Sequence, residues 1–351
     1  MLRPCGNFKR TYQGDEAIFK TNFTKLSMLA LFIVLVVLPF IVPEYQLHFI
    51  NIIGIFIIGA LGINIIMGYT GLISIGHGVF VGLGAYSTAL LMIKFNLHFL
   101  LALPLGGLIT AFLGLVPGFT CLRLKGIYLL ISTLAAHVLF NFVIVEASNL
   151  TGGDLGLSVP RIFAASGMNF MRLFYFLTFS IVVAASLFTT NLFRHKVGRN
   201  FIAIRDNDLA ARVLGIPVGK YKLISFSLGS FYAGIAGGLW AGLAGVISME
   251  QFSISLSITF LAIILIGGMG SILGTVYGTI FILLIPEVLA NLATSLRGIF
   301  GANVSTTLQI INNGIFGIII IIFLLYEPLG LARIWWKVKS YWKLWPFSYS
   351  S

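Results

Sequence analysis

Two histidines stand in apolar stretches of this sequence, where an ionisable side chain is costly and therefore informative. His77 lies in the segment SIGHGVF, whose glycines leave backbone groups accessible. An interrupted helix of this kind can direct the positive end of its dipole toward an anionic group of a substrate. The alternative is that His77 only forms a hydrogen bond between helices, and the sequence leaves both interpretations open.

A second polar group has the spacing of one helical face. Thr133, His137 and Asn141 are separated by four residues each, with Ser132 beside them, so a helix would align them in one stripe. Such a stripe either lines a path for a polar solute or joins helices by hydrogen bonds. The residues that we expect along a path are Asn64, Ser74, His77, Thr133, His137 and Asn141.

Acidic residues inside apolar segments would indicate coupling to protons or other ions, because ion-driven carriers keep charged groups at mid-membrane. Most glutamates here fall near the ends of apolar runs, namely Glu44, Glu146, Glu250 and Glu327. Glu287, which follows Pro286, is the exception. We expect it either to reach water near the outer end of its helix or, alternatively, to relay protons.

No motif for catalysis or nucleotide binding is present. The sequence contains no G-x-x-x-x-G-K-[ST], no H-E-x-x-H and no G-x-S-x-G, the motifs of phosphate-binding loops, zinc proteases and serine hydrolases. Cys5 and Cys121 are too few for a disulfide framework or a metal site. We therefore expect a protein that is not an enzyme and has no metal ion or cofactor of its own.

The composition indicates which elements position these residues. Hydrophobic residues make up 58% of the chain and charged residues only 9%, too few to cover a soluble surface. Apolar runs of about 20 residues match a hydrocarbon core of ~30 Å, and the alternating pattern of barrel strands is absent. The expected fold class is an all-α membrane bundle. The net charge of +12 is explained by basic flanks of membrane spans rather than by nucleic-acid binding.

The apolar pattern predicts about ten spans, a transmembrane domain at 26–330 and polar ends at 1–25 and 331–351. If the N-terminus is cytoplasmic, this count places 18 of the 22 Lys and Arg residues on the cytoplasmic side, as the positive-inside rule requires. An eight-span arrangement with two re-entrant segments is the alternative. The predicted spans are 26–42, 47–67, 71–92, 99–122, 126–145, 170–190, 222–246, 252–268, 272–292 and 306–326.

A short internal similarity favours an inverted repeat. The sequence GLIS at 71–74 opens the third predicted span, and GVIS at 245–248 precedes the eighth. These two spans run in opposite directions in the ten-span arrangement. We therefore expect spans 2–5 and 7–10 to be related by inverted symmetry, a common plan among transporters.

The polar loop at 191–221 is expected to contact a partner. Its alanines favour a helix at 199–214, and a glycine and a proline follow it as a stop signal. Ile202, Leu209 and Val213 fall on one side of this helix, so it has an apolar stripe to press against another surface. A short, capped helix between two spans predicts a docking surface outside the bilayer. Its charged residues are Arg194, Lys196, Arg199, Arg205, Asp206, Asp208 and Arg212.

The tail is rich in tryptophan and lysine. Residues 333–345 hold four of the five tryptophans, and aromatic rings and long basic side chains are typical of membrane interfaces. We expect a cytoplasmic amphipathic tail that either anchors the chain at the interface or contacts lipid or a partner.

Five sequence blocks are GYTGLISIGHGVFVGLGAYSTALL (68–91), LRLKGIYLLISTLA (122–135), LTGGDLGL (150–157), GRNFIAIRDNDLAARVLGI (198–216) and FLAIILIGGMGSILGTVYG (260–278). Each block alone, being apolar and glycine-rich, would not be specific. Together, in family order, they resemble the permease subunits of branched-chain amino acid ABC transporters, in particular the LivM type, and the resemblance covers about residues 45–330.

The resemblance implies a bacterial inner-membrane permease with cytoplasmic termini that works with three kinds of partner. These are a second, homologous permease subunit, two cytoplasmic ATPase subunits that bind the ATP, and a periplasmic substrate-binding protein. It also implies that the segment 198–216 contacts the ATPase. The residues carried over for this contact are Gly198, Arg199, Ala203, Ile204, Arg205, Asp206, Ala210, Ala211 and Gly215.

The resemblance implies branched-chain or other hydrophobic amino acids as the substrate. Related permeases carry urea or short amides, which is one alternative. From a different class of protein, an ion-coupled secondary carrier is the other alternative, and the sparse charge in the predicted spans argues against it.

Overall fold

A computed structural model describes residues 22–124, 126–153, 156–160, 169–300 and 330–344, and between the last two ranges 317–318, 321, 323 and 325–327. Most of these residues are helical, as the sequence predicts for an all-α membrane protein. The helices are α1 Asn22–Ile41, α2 Glu44–Ile63, α3 His77–Phe95, α4 Phe99–Leu113, α5 Leu115–Thr120, α6 Ile127–Glu146, α7 Ser148–Thr151, α8 Phe170–Arg194, α9 Lys196–Asp206, α10 Asp208–Val213, α11 Val218–Ala244, α12 Ile254–Gly267, α13 Ile272–Phe300 and α14 Leu331–Leu344.

Seven helices in the described part of the chain are long and apolar enough to cross a membrane. Shorter apolar helices at Phe32–Ile41 and Ile272–Val288 belong to α1 and α13. These nine segments fall at the first nine predicted spans, whereas most of the tenth lies outside the described residues. The total of ten therefore stays a prediction. The seven are Glu44–Tyr69, His77–Phe95, Phe99–Thr120, Ile127–Glu146, Phe170–Arg194, Val218–Ala244 and Met249–Gly267.

The long helices alternate in direction, so one end of the bundle collects basic residues. At this end the π-helical turn that follows α2, Asn64–Tyr69, meets α9, where Arg205 Nη1 donates to the Gly68 carbonyl over 2.9 Å. Gly270, between α12 and α13, lies beside the same guanidinium. We call this the basic end; other basic residues in the connections and first turns here are Arg123, Arg194, Lys196, Arg199, Arg212, Lys220 and Lys222.

Helix α11 forms the centre of the bundle and packs against α2, α3 and α4. Its glycines allow this, because small residues let helix backbones approach in lipid. A Cβ placed on Gly62 of α2 would lie 2.6 Å from the Gly229 carbonyl oxygen, and one placed on Gly234 would lie 2.9 Å from the Gly107 Cα of α4. No side chain larger than hydrogen fits these crossings without displacement.

The opposite end of the bundle carries a two-stranded ribbon. One strand lies in the predicted loop at 146–169, and the other follows α11. Strand β1, Leu157–Ser158, pairs antiparallel with β2, Val246–Ile247. The Val159 amide extends the ladder by donating to the Gly245 carbonyl over 2.8 Å. The ribbon therefore ties the connection after α6 to the end of α11.

The two similar tetrapeptides lie at opposite ends of the bundle. GLIS at 71–74 lies near the basic end, where a Cβ on Gly71 would meet the Arg205 side chain at 2.9 Å. GVIS at 245–248 includes strand β2 at the ribbon end. Each precedes a span, an arrangement compatible with an inverted repeat, but the repeat itself stays a prediction.

The predicted single helix at 199–214 is two helices, so that prediction was wrong in detail. Asn207 has an extended backbone, with φ −161° and ψ 108°, and separates α9 from α10. Its side-chain oxygen accepts hydrogen bonds from the Leu209 and Ala210 amides at 3.0 and 3.1 Å. Asn207 therefore caps the N-terminus of α10.

Candidate functional site

Helix α2 does not end cleanly but passes into an interrupted segment inside the bundle. A π-helical turn spans Asn64–Tyr69, and residues 71–76 are irregular before α3 begins at His77. Irregular backbone at membrane depth is tolerated only where protein or a lined cavity satisfies its polar groups. Here the Leu72 amide donates to the Ile66 carbonyl over 3.1 Å, so the chain turns back on its own π turn.

Asn64 fastens this segment to the start of α13. Its amide nitrogen donates to Thr275 Oγ1 over 2.8 Å and to the Ser271 carbonyl over 3.2 Å. Its oxygen accepts the Gly270 amide at 2.9 Å. Asn64, predicted as a path residue, is thus fully buried and hydrogen-bonded on both sides of its amide, and its role in this structure is to join two helices.

His77 starts α3 and is completely buried. Its Nε2 lies 2.8 Å from the Gly59 carbonyl, which only accepts, so Nε2 carries the proton and Nδ1 of the neutral ring is an acceptor. That Nδ1 has no hydrogen-bond partner in the described part of the chain. The next residue is fixed as well, because the Gly78 amide donates to Ser257 Oγ over 2.8 Å.

The predicted polar stripe of α6 lies along its contact with α3. Thr133 Oγ1 accepts the Ile75 amide at 3.1 Å, so Thr133 joins α6 to the interrupted segment. His137 is also buried, one turn further on. Its Nδ1 and the Asn141 Oδ1 are buried atoms for which the described residues offer no partner. A path lined by His137 and Asn141 stays a prediction.

Tyr86 is a residue of this region that the sequence reasoning missed. It lies on α3 with its ring 6.3 Å from that of Phe140 on α6. Its hydroxyl, like Ser74 Oγ, is buried without a hydrogen-bond partner among the described residues. A single tyrosine in a glycine-rich span was the available signal. Buried polar atoms normally have partners, so each of these atoms could form one more hydrogen bond.

The site at the basic end is formed by α9 and α10. Arg205 lies at the last turn of α9 and reaches inward to Gly68, while its Nε is 3.3 Å from Asp206 Oδ1. A cleft of ≈ 270 Å³ separates the two helices from the interrupted segment. Its lining includes Thr70, Ile73, Gly126 and Asn207. Arg205 thus links α9 to the π turn beside this cleft.

The residues implied for partner contact divide into buried and exposed sets. Gly198, Ile204 and Ala211 are buried within the chain itself. Ile204 and Ala211 pack with Val218 of α11 in a small apolar cluster, so they hold α9 and α10 to the bundle. Because Ile204 and Ala211 are buried, they present no surface to a partner. Ala203 is half-buried. The accessible members are Arg199, Arg205, Asp206, Ala210 and Gly215.

Large apolar side chains lie exposed on the same helices. Leu209 is 64% exposed, Val213 88% and Leu214 77%, whereas Ile202 is half-buried. Leu209 and Val213 belong to the predicted apolar stripe, and Leu214 extends it. An uncovered apolar patch on a charged surface element is typical of a protein contact.

Glu287 lies away from both regions. It sits in the middle of α13, which continues through Pro286, and it accepts a hydrogen bond from the exposed Tyr45 hydroxyl at 2.8 Å. Tyr45 belongs to the first turn of α2, at the ribbon end. This placement supports the interpretation of Glu287 as a group near water.

These features together define a class of protein. Among the described residues, no group of three or more His, Cys, Asp or Glu side chains could hold a metal ion. What the bundle does have is an interrupted span, a polar boundary inside it and a surface element linked to that span. An interrupted span with polar residues beside it is typical of membrane transport proteins.

The family follows from comparison with known proteins. The family model described as "Branched-chain amino acid transport system / permease component" matches residues 45–324. The chain belongs to this permease family. The resemblance drawn from the sequence blocks is confirmed.

Three relatives illustrate the range of similarity. The high-affinity branched-chain amino acid transport system permease protein LivM of Escherichia coli is 32% identical over 295 residues, covering 76% of this chain and 69% of LivM. A probable LivM of Methanocaldococcus jannaschii is 24% identical over 320 residues, or 79% and 90% of the two chains. The autoinducer 2 import system permease protein LsrC of Salmonella paratyphi B is 28% identical over 206 residues, or 54% and 57%. No solved structure matches the chain.

Proposed function

We propose that this permease is the membrane-spanning subunit of an ABC importer that carries branched-chain or other hydrophobic amino acids into the cytoplasm. The family match and the names of the LivM relatives support this cargo. The LsrC relative is named for a different cargo, but its alignment covers 54% of this chain against 76% for LivM. In this proposal the chain binds no ATP itself, and separate subunits supply the energy.

The basic end is the cytoplasmic end in this proposal. Lys and Arg are enriched in cytoplasmic segments next to spans, and most basic residues of the described chain lie in the connections at that end. The exposed patch of Leu209, Val213 and Leu214 then faces the compartment that contains ATP. We assign this patch, with the accessible members of α9 and α10, to contact with an ATPase subunit, except for Arg205, whose guanidinium reaches inward to Gly68 and which we assign to transmission.

The bond from Arg205 to Gly68 is the observation that carries the mechanism. Arg205 projects from α9, and Gly68 lies in the π turn that precedes the interrupted segment. When an ATPase moves α9, Arg205 would displace that turn, and Asn64 would transmit the displacement to α13 through Thr275. The segment before His77 would shift with them, which changes access to the α3–α6 boundary.

The remaining partners are assigned by the family and by the exposed surfaces. A second, homologous permease subunit would cover part of the apolar face of α6. Only 28% of the residues in the apolar stretch of this helix are buried within the chain. A substrate-binding protein would approach the ribbon end, where β1 and β2 form an ordered surface. The polar boundary between α3 and α6 is the path that we assign to the substrate.

Two kinds of substitution distinguish docking from transmission. The chain, carrying an affinity tag, is purified from its own host, and co-purifying proteins are identified by mass spectrometry. We expect an ATPase with a phosphate-binding loop in the native sample. The pair Leu209→Glu and Val213→Glu should abolish its recovery, since each change places a charge in an apolar contact, whereas the control pair Leu209→Met and Val213→Ile should retain it.

Arg205→Leu should give the complementary result. It leaves the exposed patch intact, so the ATPase is recovered at the native level, but it removes the bond to Gly68, so uptake of radiolabelled leucine falls. Recovery of the ATPase with both glutamates present would refute the assigned docking patch. Uptake by the purified chain alone in vesicles under a proton or sodium gradient would instead establish an ion-coupled carrier and overturn the proposed function.

A further inference from the structure

Helix α14 has an apolar sector bordered by lysines. At helical spacing, Leu331, Ile334, Trp335 and Val338 share one side of the helix, and Lys337 and Lys339 border that side. The apolar sector is only partly covered by protein, because Ile334 is 37% exposed, Trp335 47% and Val338 44%. Leu331, at the start of the helix, packs against the main core. This distribution is that of a helix lying in a membrane interface.

The start of α14 is fixed to the bundle. Gly330, with φ +78°, packs on Gly268 so closely that a Cβ would lie 2.5 Å from the Gly268 amide nitrogen. The Trp335 ring lies 5.8 Å from that of Tyr277 in the first turns of α13. The uncovered apolar side chains are therefore held at the level where the spans reach the basic end, which is the boundary between hydrocarbon and headgroups.

An ion cluster fixes the orientation of the helix. Glu327, just before α14, binds Lys337 Nζ at 2.9 Å and lies 3.8 Å from Arg333 Nε. Both basic side chains nevertheless stay half-exposed, at 58% and 50%. Residues 331–351 contain four basic residues and no acidic one, so Glu327 offsets only part of the positive charge beside the apolar sector.

From these observations we infer that α14 binds anionic phospholipids of the leaflet at the basic end. The apolar sector enters the acyl region, and Lys337 and Lys339 extend from its two borders to phosphate groups, as long basic side chains do at interfaces. Charge complementarity selects an anionic lipid over a neutral one. Each basic residue near such a surface strengthens the attraction by about fivefold, the equivalent of ~1 kcal/mol.

The tryptophans provide the measurement. Four of the five lie at 335–345, and the fifth, Trp240, is removed by Trp240→Phe. The full chain is reconstituted into vesicles of phosphatidylcholine and phosphatidylglycerol, with brominated acyl chains on one lipid or the other at the same mole fraction. Bromine quenches tryptophan fluorescence on contact. We expect brominated phosphatidylglycerol to quench more strongly than brominated phosphatidylcholine, and added salt to reduce the difference.

Charge variants identify the residues responsible. Lys339→Gln should lower the preference for phosphatidylglycerol by about fivefold, and Lys339→Arg should keep it. Lys337→Gln should have a similar effect, while Lys94→Gln, on the last turn of α3 at the ribbon end, serves as the control and should have none. Lys339 has no part in the Glu327 cluster described above, so its effect is separate from loss of that cluster.

Two outcomes would overturn the inference. Equal quenching by the two lipids would show an interfacial anchor without headgroup selectivity. No quenching by either lipid would show that the apolar sector is covered by protein. Neither outcome depends on the transported substrate or on the ATPase, so the test is independent of the proposed function.

Discussion

Asn64 and Arg205 show how single polar residues hold this bundle together. Each is bonded to backbone groups that no regular helix could satisfy, namely the Gly270 amide for Asn64 and the Gly68 carbonyl for Arg205. Both therefore stabilise an irregular backbone rather than merely adding one contact. In lipid such bonds are individually modest, and their value here is that they fix the position of the interrupted segment.

We expect Asn64→Leu to destabilise the protein by about 1–2 kcal/mol, because it removes several bonds and leaves the Gly270 amide buried without its partner. Thr275→Val removes the bond from Asn64 at 2.8 Å and the bond from Thr275 Oγ1 to the Ser271 carbonyl at 2.9 Å, but it leaves the other bonds of Asn64 in place and should cost less. Thermal unfolding in detergent of both variants and of the double variant measures their coupling. Fully additive losses would contradict a direct interaction between the two side chains.

At this scale the sequence predicted residue types better than their partners. The glycines around His77 indicated an interrupted helix, and the structure shows one. The bond between His77 and Gly59 joins residues on two elements, so nothing in the spacing could reveal it. Similarly, Ile204 and Ala211 are buried against Val218 of α11. The family pattern at 198–216 does not include Val218, so it could not show that these two residues face the bundle.

The positions of helices were predicted well where a long apolar run determines them. They were predicted less well where a capping residue determines where a helix begins or ends. The spans were found from hydropathy because every apolar helix in lipid must be about long enough to cross it. One helix, at 199–214, was predicted within the loop at 191–221 because its alanines favour continuity. Asn207, between two aspartates, is a strong N-cap residue, and its side chain restarts the helix there. The sequence held this signal, but propensity alone does not show which of two competing signals prevails.

The crossings of α11 depend on its glycines to different degrees, which allows a matched test on one helix. A Cβ on Gly234 would lie 2.8 Å from both Cβ and Oγ1 of Thr110, whereas one on Gly219 would meet only the tip of Leu122 at 3.3 Å. Gly234→Ala should cost about 1–3 kcal/mol through overpacking, and Gly219→Ala should be neutral or stabilising. Thermal unfolding and the yield of monodisperse protein report both. Equal stability of the two variants would show that the crossings are not tightly packed.

For the whole molecule, the positive-inside rule and the apolar runs predicted alternating helices with one basic end, and the structure places the described basic loops together. The ribbon of β1 and β2 was not predicted, because each strand has only two residues and pairs with a distant segment. The polar residues beside α3 (Ser74 and His77) and those on α6 (Thr133, His137 and Asn141) were predicted separately, without their contact. Tyr86 could not be added to the α3–α6 boundary without knowing which helix α6 packs against.

Access to that boundary should change during transport. In a chain with Cys5→Ser and Cys121→Ala, His137→Cys or Asn141→Cys should react with a water-soluble thiol reagent in whole cells. The rate should differ between energised and ATP-depleted cells. Val138→Cys and Phe142→Cys, on the outer face of α6 at 58% and 63% exposure in the native chain, are the controls and should not respond to energy. A lack of reaction at 137 and 141 under both conditions would assign those positions to packing.

The central position of α11 has a consequence for how the chain is made. Its mean hydropathy of 1.3 is the lowest of the seven helices that are long enough to span a membrane, although 67% of the residues in its apolar stretch are buried. A segment this weakly apolar gains little from lipid by itself, and its glycine-lined crossings with α2, α3 and α4 exist only once those helices are in the membrane. We therefore expect α2, α3 and α4 to provide the surface against which α11 inserts during synthesis, so that the later half of this permease is assembled after the earlier half.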